Sequence, residues 1–549
     1  MRFLSVLRYR LGRLALGVAD RTVTHPLFSW TWSGSTDARY TGRLVDFRPA
    51  DTHTVHEMMD GNYLLAGVRV ETGGLSPFGV AADSDAWFSD LHSFGWLRHF
   101  SNTTDQGQRA FARTLVVDWL GRYGRYDRDA WDVFVTARRV LNWLKALSLL
   151  TADAPPDQVR TLHRSIAIQV HALKVRMPLS TDPLARLMAA IALVGAGLSE
   201  SDENRDLGAL VEDLERRLDQ QIDADGLVKS RNPHAQIQLL TEIIPVHQAL
   251  LQRHGQLTGE LSRRIEAMNR ALNRLVLTTH EPAYFHGCGQ VPVELVLAIE
   301  SQGNWRTARS GVASGYGVLV DGPGKLVTDG GQVPPIDQSG DAHASALAFE
   351  YAYGSTLIAG NCGPAPGQLA ESRDLFRHTS AHSAPTIDEV SSADLGGGGR
   401  RANLLLARQP SHDPRFIEDE NTIEMRTEAF GDRYGLALTR RVTLMGGGQT
   451  LVGQDRFEAV PSRRRLQGSF SIRFHLAPGV ALDRSQGEDL VRLIYRNGEV
   501  WAFLWEGAAA DIEDSVRHSA HLGLHRTRQI VLHGPAFDKA EIAWVFTKQ

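Results

Sequence analysis

The feature that most constrains this chain is a switch in apolar spacing near residue 300. Before it, apolar residues recur every three or four positions, the period of a helix with one buried face. After it they fall in short runs of strand type. "WDVFVTARRVLNWLKALSLL" (131–150), "QVRTLHRSIAIQVHALKVRM" (158–177) and "AQIQLLTEIIPVHQALLQRHG" (235–255) are of the first kind. They are separated by short breaks such as "TADAPPD" and "DADG". "GYGVLVDG" (315–322), "KLVTDGG" (325–331) and the hairpin signal "RNGE" (496–499) are of the second kind. Helices of similar length on short connections predict antiparallel hairpins. The expected fold over 85–295 is therefore all-α, either a bundle or an α/α toroid, an incomplete barrel of helix hairpins. An N-terminal extension over 1–84 is expected to pack on it, and an antiparallel β-sandwich to follow over 300–549.

Charge and cysteine content narrow the function. The formal net charge of the 549 residues is -4, against the basic face that nucleic-acid binding needs. Two cysteines, Cys288 and Cys362, make no disulfide framework and point to a reducing compartment. No apolar run approaches the roughly 18 residues of a membrane span. The opening "MRFLSVLRYRLGRLALGVADRTV" reads as an amphipathic helix of the folded protein, its apolar stretches broken by Arg8, Arg10 and Arg13. A membrane-surface anchor and an atypical export signal are the other readings. The expected location is cytoplasmic, and a homodimer is compatible with the sequence.

Several stretches, in order along the chain, carry a resemblance: "FGWLRHFS" (94–101), "ARRVLNWL" (137–144), "LDQQIDADGLVKSRNP" (218–233), "ARSGVASGYGVLVDGPG" (308–324), "AHASALAFEY" (342–351), "NCG" (361–363), "FRHTSAHSAPTIDE" (376–389) and "SIRFHLAPG" (471–479). Together they resemble the heparinase II/III-like polysaccharide lyase superfamily, most of all its alphaproteobacterial cytoplasmic-type members. The resemblance implies a toroid followed by a β-sandwich. It implies β-elimination on uronic-acid-containing acidic polysaccharides or oligosaccharides. A base takes the C5 proton, the bond to the 4-oxygen breaks, and a donor must neutralise the uronate carboxylate as the enolate develops.

The same resemblance implies the site. Asn232 and His234 of "SRNPH" stand where the carboxylate neutralisers are expected, although Asn232 followed by Pro233 is also a helix N-cap signal. Tyr284 of "EPAYFHGCG" stands where a catalytic tyrosine is expected, with His286 beside it, His343 or His382 as further catalytic candidates for moving protons, and Tyr316 read as a strand residue. In "SGDAHASALAFEY" the resemblance implies His-x-His-x-Asp, but this chain has Asp341, His343 and Ser345. Read as a strand, those residues would share one face with Leu347 and Phe349. His343, His382 and Cys362 form the implied zinc set, a structural metal, with Asn361 as the alternative to Cys362 and a hydrogen-bonded polar cluster as the alternative to any metal. Trp96, Arg98, Arg138, Arg139, Trp143, Arg309 and Arg377 are candidate substrate contacts, since indoles stack on sugars and guanidinium pairs with carboxylate or sulfate. Two rival readings remain: a non-catalytic glycan-binding protein on the same fold, and a glycoside hydrolase using Asp223, Asp225 or Glu242.

Overall fold

The computed structural model describes every residue except 1, 34–37, 83, 202–205, 290, 304, 306–307, 397–403, 409–411, 462, 464–465, 485–488 and 520–522. The glycine-rich stretch at 397–401 and the basic residues Arg464 and Arg465 lie outside the described residues. The chain divides into two compact units, one of residues 1–222 and 238–267, the other of 223–237 and 268–549. The division therefore departs from the boundary that periodicity marks near 300: the segments holding Asn232 and Tyr284 belong with the β-rich unit.

The first unit is helical. Its helices begin where the sequence supplies a cap. Asp132 accepts the amide protons of Phe134 and Val135 to start Val133–Lys145, and Asp182 with Pro183 starts Pro183–Ser199. Every residue from Leu187 to Ser199 is buried, so this helix lies in the middle of its unit. Gly195 lets it come close: a Cβ there would sit 3.0 Å from Leu141 and 3.3 Å from Val246.

The second unit is built on two large antiparallel sheets. One has eight strands and is centred on Leu436–Met445, Thr450–Ala459, Glu541–Lys548 and Val500–Glu506. The other has nine and includes Gly468–Leu476, Thr356–Gly360, Phe349–Tyr353, Gly324–Asp329 and Tyr316–Asp321. Their inner faces share one apolar core, in which the Phe349 ring stacks on Trp544 at 5.3 Å and Phe474 meets Trp544 edge-on at 4.9 Å. Inside that core the Arg440 guanidinium grips Asp455 at 2.7 and 2.8 Å. Arg440 also donates to the carbonyls of Leu347 and Ser383, which fixes the ends of two loops that carry histidines.

Candidate functional site

Four segments of the second unit converge. The first is the start of helix Pro233–His254. Asn232 Oδ1 accepts the His234 amide proton at 2.9 Å, and the Asn232 carbonyl accepts that of Gln236. Asn232 is thus the N-cap with Pro233 in the first turn. Capping commits the side-chain oxygen to the helix, which leaves the amide Nδ2 for other partners. Nδ2 lies 3.5 Å from where a Cβ on Gly287 would be.

The second segment is Tyr284–Cys288. His286 and Gly287 both have left-handed backbone, at φ 50° and 85°. A non-glycine residue held there is strained, and here its ring is pinned at both nitrogens. His286 Nδ1 accepts the backbone amide proton of His343, so Nε2 carries the proton and donates to Asp329 Oδ2 at 3.1 Å. Gly287 is required as glycine twice over: by its φ, and because a Cβ would stand 2.9 Å from the Asp341 carbonyl oxygen.

The third segment, 339–348, is a loop where the sequence suggested a strand; the strand begins only at Phe349. Leu347 turns to φ 64°, and Ser345 donates to Asp329 Oδ2 at 2.5 Å instead of alternating along a face. Asp341 is three-quarters exposed and pairs with Arg373. His343 is buried. The fourth segment, Arg377–Ser383, clamps this loop. Arg377 donates to the carbonyls of Ala342 and Ser339, and Thr379 Oγ1 to that of Ala344.

These contacts fix a chain of tautomers. His382 Nδ1 donates to the His378 carbonyl at 2.9 Å, which leaves its Nε2 as an acceptor. His343 Nδ1 lies 3.0 Å from that Nε2 and therefore holds the proton between them. His343 Nε2 is left with a lone pair, and among the described residues nothing hydrogen-bonds to it. Burial pushes His382 down to about 4. Burial, with His382, His286 and nearby arginines, pushes His343 well below the usual histidine value. Both rings are neutral at neutral pH. Below them, Asp329 is held as a carboxylate: burial alone would raise it, but Arg231 at 2.8 Å and His286 bring it far below the usual range. Arg231 also lies over the Tyr316 ring, and the Tyr316 hydroxyl donates to the Arg231 carbonyl. Tyr316 is a support, as its strand position suggested.

The zinc set does not assemble. The Cys362 sulfur sits 3.6 Å from His475 Nδ1 and 3.9 Å from Ser515 Oγ, while His343 and His382 spend facing nitrogens on each other. Asn361 joins Ser383 to the Tyr284 carbonyl. Among the described residues no three His, Cys, Asp or Glu side chains are placed to hold a metal. Tyr284 is 2% exposed and its ring lies under the Arg517 guanidinium at 4.0 Å. Its amide donates to Glu350, which also holds Arg517.

The first unit corrects several substrate candidates. Trp96, Trp143 and Arg139 are core residues. Arg139 is fully buried, donates to Gln169, Thr136 and the carbonyls of His92 and Ala130, and lies 4.3 Å over the Trp119 ring. In the second unit Arg377 is likewise spent on its loop. Arg98 and Arg138 are half-buried, and Arg309 is exposed. Arg138 pairs with Asp90 at 3.0 Å. Glu242 is buried against Lys145 at 2.5 Å, and Asp223 accepts the amides of Asp225 and Leu227, so neither is placed as a hydrolytic acid. Sequence reading missed Arg231 and Asp329. The available signals were an arginine next to the capping asparagine and an acid at a strand end followed by two glycines.

Residues 305–545 match the family described as "Heparinase II/III-like, C-terminal". Residues 305–545 thus carry a heparinase II/III-like C-terminal domain. A crystal structure of heparinase III superposes with TM-score 0.66 at 14% identity, over 87% of this chain and 80% of that one. Heparan sulfate lyase HepC from Pedobacter heparinus gives TM-score 0.56 at 14% identity, over 95% and 87%. At such identity these heparinase-type structures show the shared fold of helical toroid and antiparallel sandwich, and not a shared substrate. "FtsZ-localized protein C" of Caulobacter vibrioides is 28% identical over 92% of this chain and 90% of its own length. That name gives a place and no chemistry.

Proposed function

We propose that this heparinase II/III-like protein is a lyase that cleaves an acidic, uronate-containing polysaccharide or oligosaccharide by β-elimination. The observation that carries the reading is the lone pair left on a neutral His343 Nε2, in a loop that shares the His286–Gly287 turn with Asn232: the His343 amide bonds His286, and Asn232 Nδ2 lies beside Gly287. Asn232 Nδ2, with the positive end of helix Pro233–His254 and His234 beside it, neutralises the uronate carboxylate. His343 Nε2 takes the C5 proton. The C5 electron pair forms the C4–C5 double bond, the bond from C4 to the glycosidic oxygen breaks, and the proton passes to that oxygen. His382 and His378 keep the His343 proton on Nδ1 and so its lone pair on Nε2. Tyr284 serves the scaffold through Glu350 and Arg517.

The test is ultraviolet absorbance of the unsaturated uronate over a panel of acidic glycans. Wild type and Tyr284→Phe yield product. Asn232→Ala and His343→Gln lose about a hundredfold or more in rate. A second reading, a glycan-binding protein without catalysis, is favoured by Asp341 in the position where the family resemblance implies a histidine. Binding of these glycans by wild type with no product on any of them would establish it and overturn the first.

A further inference from the structure

Helix Arg2–Thr24 exposes an apolar stripe that nothing in its unit covers. Leu4, Leu7, Leu11, Leu14 and Val18 are 68%, 41%, 57%, 66% and 55% exposed. Their spacing of three and four residues places them within one narrow arc of the helix. The opposite side, with Tyr9, Leu16 and Val23, is partly covered, so the stripe is not a core face left bare by chance. At its far end the helix is fixed to its unit by Asp20, which takes Arg176 in a two-point grip at 2.8 and 3.0 Å. Just beyond it, Leu27, Phe28 and Trp30 are exposed too.

Charge decides what fits the stripe. Arg8 and Arg10 flank it, one on each side, at about 80° from its centre, and Arg13 is exposed further round. Between residues 2 and 19 there is no acidic residue. A second copy of the helix would set Arg8 and Arg10 at the flanking positions where a paired coil needs opposite charges, so self-pairing is disfavoured. The helix is about 34 Å long, and no helix of the described residues is long and apolar enough to cross a membrane. An apolar stripe bordered by arginines, with an exposed tryptophan beside it, suits a helix lying in the plane of an anionic bilayer surface.

We infer that helix Arg2–Thr24 docks this protein on anionic lipid membranes, with Leu4, Leu7, Leu11, Leu14 and Val18 buried among the acyl chains and Arg8 and Arg10 on lipid phosphates. The test is co-sedimentation of the full chain with vesicles. Vesicles of phosphatidylcholine containing about one-third phosphatidylglycerol bind it, phosphatidylcholine alone binds it about tenfold less or weaker, and added salt releases it. Leu11→Glu with Leu14→Glu removes binding to both. Arg8→Glu with Arg10→Glu and Arg13→Glu removes the preference for the anionic vesicles. Because these side chains face solvent, thermal melting of each variant stays at the wild-type value, which separates loss of docking from loss of fold. Equal binding of wild type and the double glutamate variant overturns the inference. So does failure of wild type to bind anionic vesicles, including the case where sedimentation equilibrium shows a dimer that the double variant dissolves.

Discussion

At the scale of single residues, the site depends on a few groups whose charge or conformation is imposed by neighbours. Asp329 is the clearest: buried, it balances Arg231 and receives protons from His286 and Ser345. Asp329→Asn keeps the shape but leaves the Arg231 guanidinium buried without its counter-charge. The expected loss is about 3–5 kcal/mol, read from chemical denaturation. A loss below about 1 kcal/mol would mean that Arg231 finds solvent. These two residues were hard to see in the sequence because they stand 98 positions apart. An arginine that will be buried is written like one that will be exposed, which is also why Arg139 and Arg377 read as substrate contacts. His343 and His382 were legible through the family resemblance of the stretches that hold them. The hydrogen bond between them, and the tautomers it sets, depend on the His378 carbonyl, which no spacing reveals.

At the scale of elements, periodicity carried most of the fold. The helices and the long sandwich strands announce themselves, since one buried face forces a period of 3.6 or 2. Where backbone is bent to serve a site, the pattern fails. Residues 341–348 look strand-like, yet Leu347 at φ 64° and the Ser345–Asp329 bond hold them as a loop. In the eight-stranded sheet Gly453 pairs with Trp544, and a Cβ on Gly453 would fall inside the indole. Gly453→Ala is expected to cost about 2 kcal/mol or more by pushing Trp544 off Phe349 and Phe474. Near-ultraviolet circular dichroism of the tryptophans and a denaturation curve would show it. An unchanged curve would mean that the sheet spreads there freely.

At the scale of the whole chain, burial of neutral histidines sets the response to pH. His92 in the first unit and His475 in the second are pushed by burial down to about 3, and His382 to about 4. In the unfolded chain each takes up a proton near pH 6.5. Between those values the unfolded state binds more protons than the folded one, so this contribution to stability is fully present above about pH 6.5 and is lost as pH falls toward 4. Melting temperature is expected to drop steadily from pH 7 to about pH 4.5, and a flat profile would show that these rings protonate in place. The central claim is that His343 offers a neutral Nε2 lone pair. The measurement that meets it most directly is a long-range proton–nitrogen correlation spectrum of histidine-labelled protein, with His343 assigned from His343→Gln. The account predicts that at pH 7 His343 and His382 both carry their proton on Nδ1. A His343 protonated on Nε2, or charged on both nitrogens, would contradict it.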